Sequence, residues 1–403
     1  MRYPALQRCI AQPADTFLAS TYSRSPLISR RNELKQDFSD LFSLDDVNGI
    51  LSGGLRTSSV RLVQGDHQLR ADQFGYAAAA GDEAGIPPYV DTARVAGYFS
   101  EGYSVVLRSL HRYHAPVIAF SHNLSKELGY AVRVNGYVAP PNSQAVSTHF
   151  DLQDVFVIQI HGDKEWNIYQ PPIEKPVSTE AWQEMPRSRR EDLLSRSPQL
   201  ESVVLAPGDV LYVPRGCLHN AKTASDTSIQ LTVAIMTVTR FDLFQHLAQM
   251  AAKDDWFRES VPPREDLQIA DELPSLLIAG VERLAKLIAQ LSGDELLWHL
   301  RREQHSDLPP APIDIISGTT YDQEARYIVR PGVRFALTEK GDSVKLRLEN
   351  REILFPRSAA TILKAILEGC NELECTTSEE LPRPVHDSVT RALVKSGVLV
   401  RQP

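Results

Sequence analysis

The sequence predicts an α+β protein: a β-rich core of sandwich or barrel type, a helical stretch, and a small hairpin-and-helix domain at the end. Three observations predict it. Residues 103–240 hold a succession of short strand-like runs separated by Gly, Pro, Asn and Asp turns. After residue 240 apolar residues recur at helical spacing, as in Val281, Leu284, Ile288 and Leu291, with Gly280 and Gly293 as punctuation. The stretch SDLPPAPIDIISG at 306–318 has three prolines and few helix formers, which marks a boundary. The expected domains are therefore 1–240, 241–305 and 306–403.

Each element has a local reason. Ser43 and Asp46 form a capping pattern for a helix around 43–51, whose apolar face is Leu44, Val47, Ile50 and Leu51 and which Gly53 and Gly54 stop. Val60, Leu62 and Val63 around Arg61, then Gly65 and Asp66, read as a strand and a turn. In the core, YSVVLRSL, VRVNGYVAPP, DVFVIQIHGDKEWNIYQPP, SVVLAPGDVLYVPRG and SIQLTVAIM are strands. Gly162–Asp163 and Pro207–Gly208–Asp209 divide them, and Pro214 ends one. In the last domain Val344, Leu346 and Leu348 alternate, a turn falls near Glu349 and Asn350, and Ile353 and Phe355 return as a hairpin. Ser358 is placed to cap the helix SAATILKAILEG, Val385, Val389, Leu393 and Val394 make a second amphipathic run, and GVLVRQ ends as a strand. This order fits a winged helix.

Composition excludes several functions. The 403 residues carry 43 Lys+Arg against 51 Asp+Glu, a formal charge of -8, so no basic excess holds a nucleic-acid backbone. Residues 311–403 hold 13 basic and 13 acidic side chains, and direct DNA binding by the winged helix is not expected. No apolar run approaches the roughly 18 residues of a membrane span. MRYPALQRCIAQPAD is broken by Arg2, Pro4, Gln7 and Arg8 and does not read as a secretory signal. With four cysteines and no CxxC pair, the expectation is a cytoplasmic chain with reduced thiols, and Cys370 and Cys375 lack the further ligands of a zinc site.

The chemistry concentrates in STHFDLQDVFVIQIHGDKEW and PGDVLYVPRGCLHNAKT. His149 and Asp151 lie two apart at the start of a strand, so they project to one face. His219 follows a strand end at Pro214 and a turn at Arg215 and Gly216, which presents its imidazole. Two histidines and one carboxylate occupy one face of an octahedral Fe(II) and leave three positions open for reaction. Lys164 falls just past the Gly162–Asp163 turn, where a hairpin returns a long cation beside the metal and offers it to a carboxylate.

Taken together, the HFD, GDKEW and GDVLYVPRGCLH segments resemble the JmjC-type cupin oxygenases, and most closely the ribosomal oxygenases. Asn135, Tyr137, Pro140, Pro141, Ser143 and Gln144 match that family's NxYxxPPxSQ segment, and SRSPLISRR and DFSDLFSLDDVNGIL are similar to its opening segments. The resemblance implies a double-stranded β-helix (cupin/JmjC jelly roll) core, a helical dimerisation region and a C-terminal winged-helix domain. It implies a homodimer that hydroxylates a ribosomal protein with Fe(II), 2-oxoglutarate and O2. His149, Asp151 and His219 become the iron ligands, Lys164 and Tyr137 the residues for the distal carboxylate of 2-oxoglutarate, and Asn135 a substrate-side residue. Tyr22, Gln230 and Ala234 depart from the family, standing where tryptophan, histidine and a cofactor-side serine are common. Lys164 favours histidine over arginine as the target, with arginine kept open. Two alternatives remain: the same chemistry on another protein, a tRNA or a peptide, and a non-catalytic cupin/winged-helix adaptor.

Overall fold

The computed structural model describes residues 3–76, 86–261, 266–289, 308–313, 320–348, 351–367 and 383–402. The chain divides into two units, Met1–Thr237 and Val238–Pro403.

The first unit is built on strands β1 (Leu27–Ser29), β2 (Val60–Gln64), β3 (His67–Gln68), β4 (Ser104–Leu107), β5 (Val132–Ala139), β6 (Asp154–His161), β7 (Lys164–Tyr169), β8 (Gln199–Leu205), β9 (Val210–Val213), β10 (His219–Thr223) and β11 (Ser228–Ile235). A large antiparallel sheet runs β1-β9-β6-β11-β5-β4-β2-β3, and a smaller one β10-β7-β8. The near-continuous apolar run of β6 follows from burial on both faces. Phe156 and Ile158 pack outward with Phe17, Tyr212, Leu231 and Val233 and with Val117, Phe120 and Leu124 of the helix Ala115–Leu128. Val155 and Val157 face the other way, against Trp166, Ile168, Val203 and Leu205 of the smaller sheet. Two antiparallel sheets thus enclose one apolar interior, a cupin jelly roll.

Several sequence expectations hold locally. The first predicted helix forms as Leu44–Ser52, with Ser43 Oγ accepting the Asp46 N–H at 3.2 Å and Gly53 at its end. The Gly162–Asp163 turn does not close a hairpin, because β6 belongs to the large sheet and β7 to the small one. The turn carries the chain across the sandwich. Gly162 has φ 63°, and a Cβ there would lie 2.2 Å from the Thr227 carbonyl oxygen, so only glycine permits the crossing.

Asp154, at the start of β6, is fully buried and accepts hydrogen bonds from Tyr212 (2.5 Å), Ser23 (2.8 Å) and Thr237 (3.1 Å). Burial, then the Asp154 charge, pushes the Tyr212 phenol far above its usual range, so that hydroxyl stays a donor. The carboxylate ties the segment after the first helices to the floor of the sandwich.

The second unit begins with the helices Arg240–Ala251 and Asp266–Ala289, the latter containing Pro274. The side chains of Leu277, Ile278 and Val281 are exposed. Farther on, β12 (Tyr327–Val329), β13 (Ala336–Lys340), β14 (Ser343–Arg347), β15 (Glu352–Pro356) and β16 (Leu399–Arg401) form two small sheets, β13-β14-β15 and β12-β16. The helices Ala360–Leu367 and Arg383–Lys395 contribute Leu363, Leu393 and Val394 to a core with Val344, Leu346 and Phe355. The expected hairpin gains a third strand, β13. Ser358 lies in a 3₁₀ turn, Arg357–Ala359, ahead of the helix it was expected to cap. Leu291, Gly293, Glu349, Asn350, Cys370 and Cys375 fall outside the described residues. No described helix is long and apolar enough to cross a membrane.

Replacing Asp154 by Ala takes the acceptor from the Tyr212 and Ser23 hydroxyls, while Thr237 keeps Tyr22 as a partner, and is expected to cost about 3–5 kcal/mol, against about 1 kcal/mol for Tyr212→Phe. Urea unfolding followed by tryptophan fluorescence checks the order, and equal losses would show that the carboxylate is not the centre of the network.

Candidate functional site

His149 and Asp151 do not sit in a strand as the sequence suggested; they occupy the irregular segment before β6. That segment is fastened by a single isolated bridge. His149 N–H donates to the His219 carbonyl at 3.1 Å, and His219 N–H returns to the His149 carbonyl at 2.8 Å. His219 opens β10, and Gly216 N–H donates to the Asp151 carbonyl at 2.9 Å, so both histidines and the aspartate are tied to one turn. The imidazole centroids lie 4.5 Å apart.

Both rings are oriented by their Nδ1 atoms, which meet the Ser147 carbonyl at 2.8 Å and the Cys217 carbonyl at 3.0 Å. A carbonyl only accepts, so Nδ1 carries the proton and Nε2 keeps its lone pair. The Nε2 atoms point at Asp151, 4.0 Å from one carboxylate oxygen for His149 and 3.7 Å from the other for His219. One donor atom from each residue lies within 4.8 Å of the others. Burial, then the neighbouring His149, lowers the His219 pKa to about 4, so that ring is neutral near pH 7 with its Nε2 lone pair available to a metal. Two imidazoles with their Nδ1 atoms held by carbonyls and their Nε2 atoms turned inward, together with one carboxylate, fit a divalent metal that keeps open positions.

A second cluster shares the same cavity. Its lining includes Lys164, Tyr137, Trp166, Gln230 and Thr232 together with His149, Asp151 and His219. Lys164 is only 2% exposed, and burial alone lowers its pKa to about 8. Among the described residues no acid pairs with it. A buried ammonium with no counter-charge is a binding element for an anion. The Tyr137 phenol is pushed up by burial and by Asp151, so its hydroxyl remains a donor. The walls beside it are the apolar Val155, Val157 and Val213.

Five of the six expected site residues therefore line one cavity. Asn135 does not line it: it sits opposite Thr232 in the β5–β11 ladder, two pairs along from Tyr137 and Gln230. Its Oδ1 accepts the Ser109 N–H at 2.9 Å, where Ser109 adopts φ 59°, which leaves the amide N–H group as the available donor. Trp166, Thr232 and Asn220 were not singled out in the sequence. Trp166 shares a strand face with Lys164, and Thr232 with Gln230, so period-two alternation was the signal. Asn220 donates to Thr148 Oγ1 at 2.8 Å, linking the residues next to each histidine.

Comparison with known proteins agrees with this geometry. Residues 115–243 match the family model of the JmjC domain. Residues 115–243 are thus similar to a JmjC domain, and the chain as a whole is similar to ribosomal oxygenases. It is 26% identical to human ribosomal oxygenase 1 over 340 residues, covering 81% of this chain and 47% of that protein. It is likewise 26% identical over 324 residues to the bifunctional lysine-specific demethylase and histidyl-hydroxylase NO66 of Aedes aegypti, covering 76% and 49%. The chain thus spans about half the length of these relatives. Among solved structures, the Escherichia coli ribosomal oxygenase YcfD superposes with a TM-score of 0.55 at 17% identity, covering 97% of this chain and 98% of that one. YcfD in complex with cobalt and 2-oxoglutarate gives 0.53 at 16% identity, covering 98% and 99%. These likenesses show the JmjC cupin fold.

Because Lys164 is buried without a counter-charge, Lys164→Met is expected to stabilise the ligand-free protein by about 1–4 kcal/mol. The native lysine binds its proton less tightly than the unfolded one. The gain is therefore full below about pH 8 and fades as the pH rises toward the lysine's ordinary value. Thermal unfolding at pH 7 and pH 10 checks this, and a destabilised variant at pH 7 would contradict it.

Proposed function

We propose that this chain is an Fe(II)- and 2-oxoglutarate-dependent oxygenase that hydroxylates a histidine or arginine side chain of a ribosomal protein. One observation carries the reading: three convergent ligand atoms and an unpaired buried lysine line a single cavity. The relatives named as ribosomal oxygenases, and the YcfD complex with cobalt and 2-oxoglutarate, support it. When bound, iron and 2-oxoglutarate together supply the activation of O2 that inserts one oxygen atom into a C–H bond, with succinate and CO2 as co-products.

The residues of the chain hold, orient and exclude. His149, Asp151 and His219 would hold the iron, with Asp151 supplying negative charge and the Ser147 and Cys217 carbonyls fixing the two rings. Lys164 and Tyr137 would hold the distal carboxylate of 2-oxoglutarate by charge and hydrogen bond. Val155, Val157 and Val213 keep that end of the cavity apolar, which strengthens the Lys164 interaction. Asn135, with its oxygen engaged by Ser109, would offer its amide N–H to the substrate.

For the rest of the chain we read 241–305 as a dimerisation region and 306–403 as a winged helix that does not bind DNA directly. The exposed apolar side chains Leu277, Ile278 and Val281 support a second copy as the partner of the long helix. Light scattering is expected to give a dimer, and a monomer at all concentrations would remove this part of the reading.

His149→Ala and Asp151→Ala are each expected to lower succinate formation by at least about a hundredfold. Wild-type protein incubated with a ribosomal protein fraction is expected to leave one added oxygen atom on a His or Arg residue, read by mass spectrometry. Full turnover by a folded Asp151→Ala protein would remove the metal assignment. Lys164 near pKa 8 also sets a pH dependence. Above about pH 8 the ligand-free lysine is neutral and must take up a proton to pair with the carboxylate. Affinity for 2-oxoglutarate is therefore expected to fall up to about tenfold per pH unit there, measurable by calorimetry, and a flat profile to pH 10 would contradict the Lys164 role.

A further inference from the structure

On the cavity side, the segment carrying His149 and Asp151 is fastened by backbone bonds to His219 and Gly216. Its other side is covered by a different part of the chain. Phe150, between the two ligand candidates, is 1% exposed, and Leu218, beside His219, is fully buried. Neither belongs to the apolar layer behind the large sheet or to the layer between the sheets. Both belong to a separate cluster completed by Trp182, Met185 and Leu193. Those three come from the excursion of residues 170–198 between β7 and β8, which contains the 3₁₀ turn Trp182–Glu184 and the helix Arg187–Ser195.

The excursion also presses on the second ligand-bearing turn. Gly216, whose N–H holds the Asp151 carbonyl, has φ 87°, and a Cβ there would lie 2.7 Å from Pro176 Cδ and 2.9 Å from the Ile173 carbonyl oxygen. Arg215 Nη1 donates to the Pro176 carbonyl at 3.4 Å. The Trp182 and Phe150 rings meet edge to face, with centroids 5.1 Å apart at 65°, an arrangement that adds to the burial energy of an aromatic pair. Lifting the 149–151 segment off β10 would therefore expose Phe150 and part it from Trp182, on top of the loss of two backbone bonds. The backbone bonds set the convergence of the donors, and the cluster behind keeps those bonds closed.

We infer that Trp182 is a positioning residue for the metal site: packed behind Phe150, it clamps the ligand-bearing segment against β10, so that the three donor atoms stay convergent before a metal binds. The inference rests on the metal assignment in the oxygenase reading and deepens it. Trp182 does not line the cavity, and it acts only through the main chain of the residues it covers.

The test measures Mn(II) binding to the full chain under argon, by calorimetry and by the rate of release to a chelator, so that no turnover is needed. Trp182→Ala removes the clamp, and Trp182→Phe keeps a ring against Phe150. Leu62→Ala is the control: it opens a space in the apolar layer behind the large sheet, away from the cavity. Trp182→Ala is expected to weaken Mn(II) about ten- to hundredfold and to speed its release by a similar factor. Trp182→Phe is expected to recover most of that affinity. Leu62→Ala is expected to lower the melting temperature and to leave Mn(II) affinity unchanged. A purely structural role would not separate the two Ala variants, so equal weakening in both would overturn the inference, as would wild-type affinity in a folded Trp182→Ala protein. If Trp182→Ala shows no cooperative unfolding, Leu193→Ala, in the same cluster, decides by the same comparison. Either of these results leaves the metal assignment intact, whereas a wild-type protein that fails to bind Mn(II) would overturn both.

Discussion

The reciprocal backbone hydrogen bonds between His149 and His219 are the constraint on which the site depends. The segment before β6 has no strand of its own, and these two bonds dock it on β10. They bring the two rings side by side, and the carbonyls two residues upstream, Ser147 and Cys217, set which nitrogen of each ring faces inward. The Gly216 N–H holds Asp151 to the same turn. Convergence of three donors therefore comes from the main chain, which is stiffer than side-chain packing and keeps the donors in place before any metal binds.

Around this point the molecule keeps groups that do not favour folding. Lys164 is buried as a cation without an acid, and Gln230 Oε1 and Trp166 Nε1 have no described partner. Each is costly in a closed apolar space, and each lies in the one cavity beside the histidines. Stability comes from elsewhere, chiefly from the apolar layer behind the large sheet and from the layer between the sheets. The separation between a satisfied scaffold and an unsatisfied cavity is what a binding site requires.

Asp154 joins the two regions. It lies three residues beyond Asp151, yet it faces the outer layer, where Ser23, Tyr212 and Thr237 complete its hydrogen bonds. The segment before β1 thereby buttresses the start of β6 from behind while the metal-ligand candidates stand in front. This explains why the first sixty residues pack as part of the same unit as the sandwich.

Much of this was legible in the sequence. Ser43 and Gly53 bounded a helix correctly because capping is local, and the apolar runs of β6, β9 and β11 identified sandwich strands because burial on two faces leaves a compositional trace. His149, Asp151, His219 and Lys164 could be singled out because their spacing fitted turns and strand ends, and the resemblance gathered them into one site. Other features required the fold. The Gly162–Asp163 turn looked like a hairpin, since a turn's residues fix its bend but not which sheet the next strand joins. His149 and Asp151 looked like strand residues, since a two-residue period does not reveal that a single bridge, and no ladder, holds them. Trp166 and Thr232 carried only the two-residue alternation they share with Lys164 and Gln230, which places them on a face but does not say that the face lines a cavity. The sequence by itself determined the elements and the chemical identity of the metal-ligand candidates, because both are written in neighbouring residues. Only the tertiary structure decided that an unpaired lysine, an orphaned glutamine and three metal-ligand candidates share one cavity, because that depends on sheet pairings between strands distant along the chain.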